Sequence, residues 1–349
     1  MSYHIELPEG AYHVVTALDH CAWPNLTMLP NGEIGAVIYN QPSHGWDEGD
    51  PELWVSEDAG SSWALRSTVT QHEPPSVRMN LAAGLNAQGH LVVLCSGWSL
   101  DGAGGNPRGV TIPPWVCISE DNGHTWDQVG EIAPAGGEIS VYPEPPVLIP
   151  FGDICLNGEE LVASCYSSNC SVLLRSADGG RTWGEASVIG AHNYNETDLL
   201  IPREGPWLAV VRLAGLRTDE PGIGLGANLR LFRSTDEGRT WEAGEYLTLP
   251  NQHPGHLLEL ADGRVLLSYG SRIPRFRGVM GRISKDGGAT WCTPFVIVGG
   301  LLEGDLGYPS SVQVESGEIV TAYYANCAPW HQRYHMGVVR WSLDAVPIE

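Results

Sequence analysis

The sequence predicts an all-β chain: a six-bladed β-propeller in one domain over residues 1–349, its ring closed by strands from both termini. Three observations predict it. A box of eight residues ending in tryptophan recurs five times, an apolar hairpin pattern recurs six times at a similar period, and no stretch keeps the 3.6-residue apolar periodicity of a helix. Composition agrees, because 43 Gly, 25 Pro and 13 Trp suit tight turns around aromatic packing better than long helices.

The box reads SEDAGSSW at 56–63, SEDNGHTW at 119–126, SADGGRTW at 176–183, STDEGRTW at 234–241 and SKDGGATW at 284–291. Its residue types fit a turn. Asp can accept from backbone N–H groups two residues on, Gly supplies a left-handed position, and Trp buries a ring beneath. A catalytic group is needed once, whereas this one comes in five equivalent copies. Asp58, Asp121, Asp178, Asp236 and Asp286 are therefore scaffold, and the chemistry lies elsewhere in the same repeats.

Between boxes run strand–turn–strand segments such as WPNLTMLPNGEIGAVIYN (23–40) and YPSSVQVESGEIVTAYYA (308–325). Their turn glycines are Gly32, Gly89, Gly158, Gly205, Gly263 and Gly317, a mean of 57 residues apart. Pairs such as Asn31-Gly32, Asn157-Gly158 and Asp262-Gly263 are what a two-residue hairpin turn prefers, since φ > 0 is needed there. Six such units fill the chain, which argues for one domain. The sixth has no box, so AYHVVTA (11–17) and MGVVRWSL (336–343) are expected to complete it together.

The formal net charge of −22 excludes a general affinity for nucleic acid or anionic membrane surfaces. No apolar run approaches the roughly 20 residues of a membrane span. The N-terminus lacks a basic and then apolar leader, so a cytoplasmic location is expected. The eight cysteines stand apart, most of them inside apolar runs, and read as buried thiols rather than a disulfide frame or zinc site. H-P-G-H at 253–256 and H-Q-R-Y-H at 331–335 lack metal-site spacing on a strand, so neither a metal nor a cofactor is expected.

The S-x-D-x-G-x-T-W pattern is the Asp-box, or BNR repeat, and with five copies in register the chain resembles the sialidase superfamily over all six units. The innermost strand of each blade lines the central channel of a propeller, so equivalent positions can be compared by counting from each turn glycine. Nine residues before it stand Trp23, Asn80, Ile149, Glu196, Pro254 and Tyr308, and Arg212 lies on the return strand of Glu196's hairpin. The resemblance implies a Tyr nucleophile, polarised by a Glu, in place of the usual glycosidase carboxylate. It carries those roles to Tyr308 and Glu196. It also implies arginines that clamp a sugar carboxylate, here Arg212 and, from S-R-I-P-R-F-R-G, one of Arg272, Arg275 and Arg277, with Arg272 at the end of its strand favoured. The acid/base it implies falls in the first-blade loop N-Q-P-S-H-G-W-D-E-G-D, where Asp50 and Asp47 are candidates with Glu48 and His44 nearby.

One departure counts against sialic acid. Sialidases carry R-I-P on the first inner strand, whereas this chain has C-A-W-P, with Ala22 in the arginine's place and Trp23 after it. Trp23 offers a stacking face to a sugar ring instead, and Arg78 or Arg108 could replace the missing guanidinium. The reading is a sialidase-like exo-glycoside hydrolase that releases a terminal sugar, acidic or neutral, from a glycan, with His256 a further substrate contact. Two alternatives stay open. One is a polysaccharide lyase in which Tyr308, His253, His256 or His331 takes the proton beside a uronate carboxylate; the other is a carbohydrate-binding propeller without turnover.

Overall fold

The computed structural model describes residues 5–133, 146–167, 170–214, 227–328 and 330–348. Its regular structure is almost entirely strand, in six four-stranded antiparallel units. The first strand, β1 (Tyr12–Leu18), is set aside for the last unit. The first unit holds β2 (Asn25–Met28), β3 (Ile34–Tyr39), β4 (Pro51–Ser56) and β5 (Ala64–Thr68). The second holds β6 (Val77–Leu85), β7 (Leu91–Trp98), β8 (Thr111–Ser119) and β9 (Asp127–Glu131). The third holds β10 (Ile149–Asn157), β11 (Glu160–Ser167), β12 (Cys170–Ser176) and β13 (Gly184–Ala191). The fourth holds β14 (Tyr194–Leu200), β15 (Trp207–Leu213), β16 (Asn228–Ser234) and β17 (Glu242–Tyr246). The fifth holds β18 (Gln252–Glu259), β19 (Val265–Ser271), β20 (Gly278–Ser284) and β21 (Phe295–Gly299). The sixth holds β22 (Leu306–Gln313), β23 (Ile319–Ala328) and β24 (His331–Trp341), and β1 pairs antiparallel with β24 as its outer strand. The two terminal segments thus meet in one sheet, as their apolar patterns predict.

The first strands of successive units lie against one another in the order β2, β6, β10, β14, β18, β22, and β22 lies against β2. Between β6 and β10 the approach becomes a short parallel pairing, Gly152 with Ala82 and Asp153 with Ala83. The apolar core sits between neighbouring sheets. Leu26, Ala36 and Ile38 of the first unit share a cluster with Val320, Ala322 and Tyr324 of the sixth. Leu208 and Val210 of the fourth share another with Leu257 and Leu267 of the fifth.

All six turn glycines have φ between +66° and +97°. Only Gly158 sits in a two-residue hairpin, where Asn157 pairs with Glu160. The other hairpin loops are longer, as where Leu29 N–H donates to Glu33 O at 2.9 Å. This shortens the third unit's count by about three residues. Ile149 is therefore not the equivalent of Glu196 and Tyr308; the bulge of that inner strand falls at Gly152 and Asp153.

The five boxes cap the third strands of units one to five. In each, the Ser hydroxyl donates to the Asp carboxylate and accepts from the Gly N–H, while the Asp accepts from the N–H and hydroxyl of the residue before Trp. The Trp rings are half-buried rather than sealed. The box glycine also touches the neighbouring sheet. At Gly123, with φ +82°, a Cβ would lie 1.9 Å from Leu53 Cδ2 of the first unit, and Gly60 presses in the same way on Val320 of the sixth. The box is the joint between units. All eight cysteines are free thiols, and among the described residues no helix is long and apolar enough to cross a membrane.

Candidate active site

Most first strands carry a bulge at the same level. The regular pairing slips between Arg78 and Asn80, Phe151 and Ile154, Tyr194 and Thr197, Gln252 and Gly255, and Gly307 and Ser310. A bulge leaves residues unpaired and turns their side chains out of the ladder. The inner strands here turn them into one cavity of about 180 Å³. Its wall takes Trp23 and Asn25 from the first unit, Met79 and Asn80 from the second, and Phe151 and Gly152 from the third. Glu196 and Asp198 come from the fourth, Gly255 and His256 from the fifth, and Tyr308 and Ser310 from the sixth.

Tyr308 sits in the left-handed region at φ +48°, directly after Gly307 at φ +111°. A non-glycine residue held there is strained, and such strain concentrates at functional sites. Its hydroxyl donates to Glu196 Oε1, while Glu196 Oε2 accepts from Arg212 Nη1 at 2.5 Å. Burial first, and then the charge of Glu196, push the phenol well above its ordinary value, against the pull of Arg212 and Arg272. A phenol so placed attacks only if its proton leaves as it does so, and Glu196 is hydrogen-bonded to receive it.

The arginines stand behind this pair rather than in the cavity. Arg212 meets Glu196 through Nη1, and its buried Nε makes no hydrogen bond. Arg272 donates from Nε to Leu306 O at 3.1 Å and from Nη2 to the Tyr324 hydroxyl at 3.4 Å, its guanidinium carbon 5.8 Å from the centre of the Tyr308 ring. Neither lines the cavity, so neither presents the open fork expected of a carboxylate clamp. Arg277 is a loop staple that donates to Leu302 O, remote from the cavity wall. Arg78 is buried over Trp115, 3.5 Å from the ring centre, and donates to Pro113 O at 2.6 Å. Arg108 does line the cavity, lying over Trp46 at 4.2 Å.

Asp47 and Asp50 do not reach the cavity wall. Asp47 is exposed and offers its backbone oxygen to the Tyr39 hydroxyl at 2.8 Å. Asp50 Oδ1 accepts from the backbone N–H of His72 at 2.6 Å and meets its Nδ1 at 2.7 Å, which ties the loop to the second unit. What that loop does deliver is His44. Its Nδ1 lies 3.1 Å from Asp305 Oδ2, and its ring stands edge-on to Trp23 with 4.8 Å between centres. Asp305 also accepts from the hydroxyls of Tyr324 and Tyr334. Burial alone would raise its carboxyl, but the His44 contact and then the two phenols outweigh that and hold it well below the usual range.

Trp23 is the hub of the aromatic wall. Its ring stacks on Tyr39 at 5.6 Å and meets Tyr308 at 6.1 Å and Tyr324 at 5.8 Å. Ala22 beside it is fully buried. Across the cavity, Asp153, Asp198 and His256 bring one ligand atom each within 4.8 Å of one another, the one such group among the described residues that could hold a metal ion. Asp198 accepts from the N–H groups of Leu257 and Asp153. Burial alone would lower His256, yet the charges of Asp198 and Asp153 raise it to about 9. Burial pushes Asp198 up to about 7. His253 is buried beside Arg212 and Arg272 and lowered to about 2, a neutral imidazole outside the cavity wall. His331 pairs with Asp19 at 3.4 Å, also outside the wall.

Asp305, Asp153 and Asp198 were not singled out from the sequence. Asp198 carried a usable signal, two residues after Glu196 and so on the same strand face. Asp305 is three residues ahead of Tyr308 and carried none.

An all-β array of six such units with one central-strand cavity is a sialidase-like fold, and the comparisons agree. Residues 36–321 match the model of the BNR repeat-like domain, and the chain belongs to that family within the sialidase-like superfamily. A protein of unknown function from Dyadobacter fermentans superposes with a TM-score of 0.77 at 24% identity, over 95% of this chain and 100% of that one. The NanB sialidase of Streptococcus pneumoniae gives 0.70 at 13% identity, over 99% of this chain and 71% of that one. The Trypanosoma rangeli sialidase gives 0.66 at 12% identity, over 97% and 60%. Likenesses at these identities show the fold. No curated protein matches the chain.

Proposed function

We propose that the chain is one domain, a closed six-bladed propeller jointed by Asp-boxes, and that it is a retaining exo-glycoside hydrolase with Tyr308 as its nucleophile. The observation that carries the reading is the Tyr308–Glu196–Arg212 chain of hydrogen bonds at the wall of the central cavity. Tyr308 Oη attacks the anomeric carbon while its proton passes to Glu196, whose other oxygen Arg212 holds in place. A carboxylate in the nucleophile's role would be repelled by an anionic anomeric centre, whereas a neutral phenol with a base behind it is not.

The substrate is a terminal sugar of a glycan. The cavity of about 180 Å³ is below the ~300–1,000 Å³ of pockets that hold drug-sized ligands, and so suits one ring rather than a chain. Its recognition leans on the Trp23 and Phe151 faces and on the polar groups of Asn80, Asp198 and His256. With Ala22 in the R-I-P place and Arg212 and Arg272 already bonded, Arg108 is the one guanidinium among the described wall residues. A two-armed grip on a sialic acid carboxylate is not assembled here.

A release assay over terminal sialosides, uronides and neutral glycosides tests the reading, with Tyr308→Phe alongside. Release of one class is expected, with a loss on the order of 10³-fold or more in the variant, as when a covalent nucleophile is removed. Undiminished turnover by Tyr308→Phe sinks the mechanism. An unsaturated, ultraviolet-absorbing product replaces hydrolysis by elimination, and retention of glycan without product leaves a binding propeller.

A further inference from the structure

If Tyr308 is the nucleophile, the leaving oxygen needs a proton donor, and neither Asp47 nor Asp50 lines the cavity to supply it. His44 does. The loop that carries it is pressed onto the second unit at Gly45, where φ is +69° and a Cβ would lie 2.0 Å from Met79 Sδ. Ser43 Oγ accepts from the N–H groups of Trp46 at 3.2 Å and Asp47 at 3.1 Å, which closes the turn around it. The imidazole is then gripped from two sides, by the Trp23 ring at near right angles and by Asp305. Asp305 is an ionised acceptor fed by two phenols, so Nδ1 of His44 must be the donor in that contact. Nε2 is the ring nitrogen that Asp305 does not engage, and His44 and Tyr308 flank the same indole.

From this arrangement, and resting on the glycosidase reading, we propose that His44, oriented by Asp305, is the general acid/base of the reaction. In the first step His44 Nε2–H gives its proton to the glycosidic oxygen as the bond from that oxygen to the anomeric carbon breaks. Tyr308 Oη forms its bond to the same carbon and its proton goes to Glu196. In the second step water loses a proton to His44 Nε2 and bonds to the anomeric carbon. The bond to Tyr308 breaks, and Glu196 returns the proton to the phenol. Atoms and charges balance without any further reagent. Asp305 acts through His44 and is a positioning residue, with Tyr324 and Tyr334 holding its carboxylate.

The test compares two glycosides of the sugar released by the wild-type protein. The 2,4-dinitrophenyl glycoside expels a phenolate that needs no proton, and the octyl glycoside expels an alcohol that does. For His44→Ala the expected loss in kcat/KM is about 10²–10⁴-fold on the octyl glycoside and under about tenfold on the dinitrophenyl one. Azide should accelerate the variant on the dinitrophenyl glycoside, giving the glycosyl azide, and leave the wild type unchanged. His44→Gln should behave like His44→Ala, which guards against a variant that fails to fold. Asp305→Asn should lower kcat on the octyl glycoside with KM little changed, and Asp305→Glu should restore part of it. Equal losses on both glycosides, or none, overturn the role of His44 while a dead Tyr308→Phe keeps the glycosidase reading. A wild type that releases no sugar from these glycosides or from the terminal-glycoside panel overturns both.

Discussion

The box and the cavity use the same repeat in opposite ways. At the five boxes backbone and side chains are both repeated, Ser, Asp, Gly and Trp returning with the same hydrogen bonds. At the cavity only the backbone device recurs. The bulge level that presents Tyr308 in one unit presents Glu196 in another and Gly152 in a third. Repetition is the mark of a joint, whereas difference at an equivalent place is the mark of chemistry. That contrast separates the five box aspartates from Glu196 and Asp198 at the cavity.

Beside Tyr308, Glu196 should give a large effect on the cavity side. Glu196→Gln keeps the shape but cannot take the Tyr308 proton, so turnover should fall by about 10²–10⁴-fold with the fold intact. Glu196→Ala should also destabilise by roughly 3 kcal/mol, the low end for breaking a buried pair, because Arg212 is 21% exposed. Chemical denaturation beside a release assay separates the two effects, and a Gln variant that turns over normally would place the base elsewhere.

The box should show the reverse pattern. Gly123→Val drives a side chain into Leu53 at a left-handed position and should cost about 2–3 kcal/mol, with turnover per folded molecule unchanged. Lost activity without lost stability would mean that a box does more than join sheets.

Two pH dependences are smaller and opposite in sign. His256 is raised from 6.5 to about 9, so its contribution is fully present below pH 6.5 and is lost as pH rises through 9. Unfolding free energy measured across that range should fall, and should fall less in Asp153→Asn. In the boxes, the hydrogen bonds around Asp121 overcome the upward push of burial and lower it from 3.8 to about 2. Its contribution is present above pH 3.8 and is lost as pH falls through 2. The stability gap between wild type and Asp121→Asn should therefore close over that acid range.

Read by itself, the sequence determined what depends on local chemistry and period. The six units, the boxes and the left-handed turn glycines follow from patterns within about 60 residues, and the meeting of the two termini from the sixth unit's missing box. Tyr308 and Glu196 were reachable because a repeat turns distant positions into equivalent ones, though the count slipped at Gly158, where the hairpin is shorter. Only the tertiary structure decided what the cavity holds. The two arginines that look like a clamp are already engaged, Arg212 with Glu196 on the neighbouring strand of its own unit and Arg272 with Leu306 and Tyr324 of the sixth. His44 and Asp305 are 261 residues apart and become partners only where the first and sixth units pack together. Asp47 and Asp50 differ from His44 in sequence by a few positions, yet a loop pinned at Gly45 turns one side chain inward and the other two away. Spacing along a strand carries the first kind of information, and no local pattern carries the second.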